Sequence, residues 1–167
     1  MSSLPAPPGE VRTRWAERNP GLDVSPMEVI GLLKRATRLL DRAVEPLYAG
    51  APLTAPEVDM LVPLRHATDP VIASSLAQRF GLSRAGVSKT LGKLERRGFI
   101  ARVPNPADRR AALVTVTEAG AAAVDDLFPR QLAAEAELLA SLGDDREWVV
   151  EALGRLVESM ENRAVRD

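Results

Sequence analysis

Residues 76–117 read LAQRFGLSRAGVSKTLGKLERRGFIARVPNPADRRAALVTVT, and they decide the fold. A helix over 73–80 runs into Gly81, where a left-handed backbone closes a helix end. Ser83 supplies the side-chain cap of the next helix, expected over 84–97. Val87, Leu91 and Leu94 recur along that helix as its inward face, and Gly98 stops it. A strand over 99–103, the turn PNPADRR and a strand over 111–116 then form a hairpin, with Ile100 and Leu113 as candidate inward positions. The order is therefore helix, turn, helix and basic hairpin.

The net charge of −1 over 167 residues hides a strong asymmetry. Residues 79–110 hold nine Lys and Arg against two acids, while residues 111–167 hold five against twelve. Cations gathered in the segment that carries the motif imply a polyanionic partner. A helix-turn-helix lays its second helix in the DNA major groove, with its first turn nearest the base edges. Ser83, Arg84, Ala85, Ser88 and Lys89 are the outward residues there. The small ones let the helix sink, and Arg84 and Lys89 offer donors to guanine O6 and N7. Ser83 and Ser88 can also bond phosphates. Lys93, Arg96 and Arg97 lie further along, towards the DNA backbone or solvent. At the hairpin tip, Arg109 and Arg110 present planar cations suited to a narrow minor groove. Asp108 reads as a brace that fixes a neighbouring guanidinium. Gly86 and Gly92 are costly inside a helix, at about 1 kcal/mol each, and a close approach would explain them.

Outward from this segment the chain is mostly helical. A short helix covers 10–17, and NPGLD at 19–23 turns the chain. Ser25, Pro26 and Glu28 have the pattern of a capping box. Ile30, Leu33, Thr37, Leu40, Val44 and Leu47 then form one stripe, ending near Tyr48. Thr54 and Glu57 have the same capping pattern for the next helix, which Pro63 should bend or end. ATDP at 67–70 reads as a loop. Thr117 caps a helix to about Ala140, with a kink expected at Pro129. SLGDD turns, and a last helix over 145–163 carries Val149, Leu153, Leu156 and Met160 as a near-heptad seam. These helices hold more apolar surface than one small subunit needs.

The stretch LAQRFGLSRAGVSKTLGKLERRGFI, followed by D-R-R-A-x-x-V-x-V-T, resembles the multiple-antibiotic-resistance regulator (MarR) family of winged-helix repressors, over about residues 26–163. The family wing motif Asp-x-Arg falls on Asp108 and Arg110. The resemblance implies that Arg110 probes the minor groove while Asp108 orients it. It also implies a mainly α (α+β) homodimer whose long N- and C-terminal helices intertwine above two winged helix-turn-helix units. VRTRWAERNPGLD resembles the N-terminus of the urate-responsive branch, which implies ligand residues at Trp15 and Asp59. The arginines of that branch have no match here, since the recognition helix reads Lys89-Thr90. Trp15 as a packing anchor and Asp59 as a solvent or capping group are the alternative readings.

Three regions follow. Residues 1–24 are a tail with an extra helix, 25–52 and 118–167 a helical dimerisation region, and 53–117 the DNA-binding unit. The expected function is a sequence-specific transcriptional regulator, a repressor on a pseudo-palindromic operator, released by a small ligand. The expected partners are double-stranded DNA, a second copy and a small-molecule effector. A winged-helix module that binds protein and not DNA is the alternative. With no cysteine and one histidine, His66, no metal or cofactor site is expected. His66 reads as a surface or cleft residue able to touch a ligand. No catalytic constellation appears, so the chain does not read as an enzyme. No apolar run approaches the ~20 residues of a membrane span, and a cytoplasmic, nucleoid-associated protein is expected.

Overall fold

A computed structural model describes residues 7–106, 108 and 112–164. The elements are α1 (Pro8–Arg18), α2 (Pro26–Tyr48), α3 (Ala55–Arg65), β1 (Val71–Ile72), α4 (Ala73–Arg79), α5 (Arg84–Arg96), β2 (Ile100–Pro104), β3 (Ala112–Val116), α6 (Glu118–Leu139) and α7 (Arg146–Ala164). A 3-10 segment, Ala140–Asp145, joins α6 to α7. The result is a mostly helical chain with one small antiparallel sheet of strand order β1-β3-β2. β2 and β3 pair from Ile100↔Val116 to Pro104↔Ala112.

One apolar core holds the winged unit. Leu53, Val58, Leu61, Leu76, Leu91 and Leu94 are all but inaccessible to solvent, and α6 adds Val124 and Leu127 to the same cluster. Helix α6 is fastened to α3 by polar contacts as well. The Arg65 guanidinium donates to both oxygens of Asp125, at 2.8 and 2.6 Å, and Arg65 holds the Asp125 carboxyl below its usual range. At the start of α6 the Thr117 hydroxyl donates to Gly98 O at 2.6 Å and accepts the Gly120 N–H at 3.1 Å.

Three sequence expectations need correction. Residues after the 67–70 loop form a strand, β1, whose Val71 and Ile72 pair with Val114 and Leu113. Val114 is the buried residue of β3, while Leu113 is half-buried. Ser25 is no cap: its backbone is helical and its side chain makes no capping bond. Its N–H donates to Asp23, and Glu28 pairs instead with Arg12 of α1 at 2.9 Å. The Thr54–Glu57 pair behaves as expected, with the Thr54 N–H donated to the Glu57 carboxylate at 2.9 Å. Pro63 lies inside α3, which ends two residues later at Arg65, and Pro129 lies inside α6.

Much apolar surface stays open. On α2 only Val44 is buried, and Val29, Leu32 and Leu39 face solvent on a second row at heptad spacing. Among its described side chains α7 has none buried, and Val150, Leu153, Val157 and Met160 repeat that spacing, all exposed. No helix among the described residues is long and apolar enough to cross a membrane.

Candidate nucleic-acid interface

Helices α4 and α5 meet in a tight turn. Leu82 N–H reaches back to Ala77 O at 3.0 Å while Gly81 takes φ +59°, a conformation that favours glycine. Ser83 then accepts the Gly86 N–H on its hydroxyl at 3.1 Å and starts α5. A Cβ on Gly86 would lie 3.1 Å from that same hydroxyl oxygen, so the cap accounts for one glycine of the helix. At Gly92 a Cβ would make only ordinary contact, with Arg96.

Val87, Leu91 and Leu94 are buried, as their spacing predicts. Ser83, Arg84, Ala85, Ser88, Lys89 and Lys93 are all exposed. Arg84, Lys89 and Lys93 have no ion pair among the described residues, so their charges face outward unneutralised. Ser83 spends its acceptor on the cap and keeps its O–H to donate.

Two cations of the segment are committed within the chain. Arg102 of β2 donates to Glu95 of α5, its Nε at 2.8 Å, which ties the wing to the helix and neutralises the acid on α5. Arg97, expected at DNA or solvent, donates instead to buried Glu57 at 2.7 Å and to Pro52 O. Its guanidinium also lies 5.0 Å from the Phe99 ring centre.

A groove of about 390 Å³ between α5 and the wing brings together Arg84, Ser88, Arg102 and Asp108. The Asp108 N–H donates to Asn105 O at 3.2 Å and shapes the turn. Arg109 and Arg110 lie outside the described residues, and with them the expected brace from Asp108.

The three ligand candidates are joined by no hydrogen bond or ion pair among the described residues. Trp15 sits on α1, 53% exposed. His66 closes α3, exposed. Asp59 belongs to a polar cluster that sequence reading did not find. Gln131 of α6 donates its Nε2 to Asp59 at 3.3 Å and to Glu135 at 2.8 Å, and accepts the Tyr48 O–H from the end of α2. Partial burial raises the Asp59 carboxyl above its usual range, and the Glu135 charge adds to this, while the Gln131 bond opposes it. Burial and the two carboxylates likewise raise Tyr48, which keeps its hydroxyl protonated as the donor. The sequence did carry a signal for this cluster: Gln131 continues the buried row Gly120, Val124 and Leu127, where an apolar residue belongs. No group of His, Asp or Glu among the described residues could hold a metal ion.

This arrangement, a capped helix with an outward cationic turn beside a hairpin, agrees with known proteins. A family model described as the MarR family matches residues 51–111, which contain the helix-turn-helix and the wing up to its tip. The HTH-type transcriptional regulator PecS of Dickeya dadantii is 28% identical over 92% of this chain and 94% of its own. Over its helix-turn-helix and wing the chain is similar to the MarR family. Among solved structures, a MarR-family regulator from Rhodococcus sp. RHA1 is 26% identical with a TM-score of 0.66, covering 80% of this chain and 92% of that one. The transcriptional repressor CouR of Rhodococcus jostii RHA1, bound to a 23-mer DNA duplex, is 26% identical with a TM-score of 0.67, over 75% and 89%. The chain is accordingly a DNA-binding transcriptional regulator, and its named relatives are regulators rather than enzymes.

Proposed function

We propose that the protein is a homodimeric repressor in which each winged unit reads one half of a pseudo-palindromic operator. The observation that carries the reading is the outward turn of α5, where Arg84, Ser88 and Lys89 stand exposed on a helix whose opposite face is locked in the core. Two-fold symmetry places two such helices in successive major grooves, ~34 Å apart. Arg109 and Arg110 would enter the flanking minor groove, with Asp108 as the brace. The dimer reading rests on the open heptad rows of α2 and α7, because rows of that spacing bury against a second helix. The helical region (25–52 and 118–167) would hold the two copies together, and the unit at 53–117 would hang below it.

Release by a small molecule completes the proposal. Asp59 lies where α2, α3 and α6 meet, through Tyr48 and Gln131. A ligand that prefers one arrangement of those helices would change the separation of the two reading helices. Trp15 and His66 are the further candidates for contact with it. The protein would act in the cytoplasm on chromosomal DNA.

The test is selection of duplexes from genomic fragments by the purified protein, followed by anisotropy titrations across a salt series. A recovered site with inverted half-sites about one helical turn apart supports the proposal. Salt-insensitive binding, or binding to protein partners alone, would refute it. Sedimentation should give twice the 18.0 kDa chain mass.

A further inference from the structure

The best-built polar contact of the winged unit lies at the far end of the reading helix, away from its outward turn. Arg97 is the C-cap residue of α5. Its guanidinium is held on three sides: by the Glu57 carboxylate at 2.7 Å, by the Pro52 carbonyl, and by the Phe99 ring at 5.0 Å. Glu57 is 7% exposed, and its second oxygen accepts the Thr54 N–H that begins α3. One buried carboxylate therefore fastens both the start of α3 and the end of α5. Pro52 and Thr54 belong to the short link that leaves α2, so the contact also joins the reading helix to the long N-terminal helix.

We propose that the Arg97–Glu57 latch is a positioning device for DNA recognition: it sets the tilt of α5 against the α2–α3 link and thereby the separation of the two reading helices. The inference rests on the dimeric half-site reading above. Apolar contacts at Val87, Leu91 and Leu94 hold α5 against the core without fixing its direction, since they are non-directional. A guanidinium fork is directional. The lever is long: thirteen residues span ~20 Å, so a tilt of ~5° at Arg97 moves the Arg84 end by nearly 2 Å. That is about half the ~3.4 Å step between base pairs. Arg97 touches no DNA in this scheme and acts through Arg84, Ser88 and Lys89.

The experiment uses the full chain and a duplex that the wild-type protein selects from a randomised pool. The duplex is rebuilt with one base pair inserted or removed between the half-sites. Arg97→Gln and Glu57→Gln are titrated on all three duplexes across a salt series. Glutamine at 57 retains the capping acceptor. Arg97→Lys, which keeps the cation and loses the fork, is the variant least disturbing to folding. All three variants should bind the selected duplex roughly tenfold more weakly and discriminate less between spacings, with an unchanged salt slope. Loss of affinity with the wild-type spacing preference intact would reduce the latch to a fold-stabilising contact and overturn the proposal. A shallower salt slope for Arg97→Gln, with Glu57→Gln binding like wild type, would make Arg97 a phosphate contact and also overturn it. A wild-type protein indifferent to spacing would instead refute the dimeric reading, and the latch proposal with it.

Discussion

Gly120→Ala should destabilise the protein, although alanine is the better helix former. Gly120 sits in the first turn of α6, against the turn that leaves α5. A Cβ built there lies 2.1 Å from the Phe99 carbonyl oxygen and 2.9 Å from Val116 Cγ1. A carbon and a carbonyl oxygen approach comfortably only to ~3.3 Å, so the helix must retreat by more than 1 Å. That retreat stretches the Thr117 N–H bond to Phe99 O, now 3.1 Å, and the Thr117 hydroxyl bond to Gly98 O. Each is worth about 1 kcal/mol, and the displaced packing adds about 1–3 kcal/mol. The helix-propensity gain of about 1 kcal/mol opposes these and loses. The net expectation is a loss of about 2–4 kcal/mol, or roughly 5–15 °C in Tm for a chain of this size. Urea and thermal melts followed by circular dichroism, at one protein concentration, measure it. Gly31→Ala is the control, since nothing lies within 4 Å of its Cβ position on α2; it should stabilise by up to about 1 kcal/mol. A Gly120→Ala protein as stable as wild type would refute the close-approach reasoning.

Further outcomes follow from the same geometry. Lys89→Ala should weaken operator binding and alter base preference, at about 1–3 kcal/mol if the ammonium reads a base edge; a uniform loss over all sequences, with the salt slope reduced by about one, would make it a phosphate contact. Leu153→Asp with Val157→Asp should shift the sedimenting mass from two chains to one, because both residues lie on the exposed row of α7; an unchanged mass would remove α7 from the interface. For Asp59 the sign is set by its raised pKa. The folded state holds the proton more tightly than the unfolded chain, so stability falls as pH rises from 3.8 through the raised value, and the penalty is complete at neutral pH. Asp59→Asn should therefore raise the stability at pH 7, by below about 1 kcal/mol because the group is part-exposed. Its advantage should vanish as pH falls below 3.8, and an advantage that grew on acidification would contradict the assignment.

The reading helix was legible because its signals are local. Gly81, Ser83, Val87, Leu91 and Leu94 act on neighbours within one or two turns, and the burial of three of them fixes which side faces out. Where a distant residue competes, the same kind of signal fails. Ser25–Glu28 and Thr54–Glu57 share the spacing of a capping box, yet only the second pair uses it. Arg12 of α1 draws Glu28 away, and no spacing within 25–28 announces that. β1 has two residues, too few for any alternation, and exists because β3 offers Val114 and Leu113 as partners. Arg97 reads as a solvated cation at a helix end, and its partner lies forty residues earlier. Gln131 was visible as a misplaced polar residue on a buried row, but Asp59 and Tyr48 reach it from other helices. The division is physical: local periodicity defines the surface that meets DNA. The contacts from Arg97 to Glu57 and from Gln131 to Asp59 join segments that only the folded chain brings together. Substitutions on the outward turn should therefore change which sequence is bound. Substitutions in the latch should change how far apart two copies of that sequence must lie.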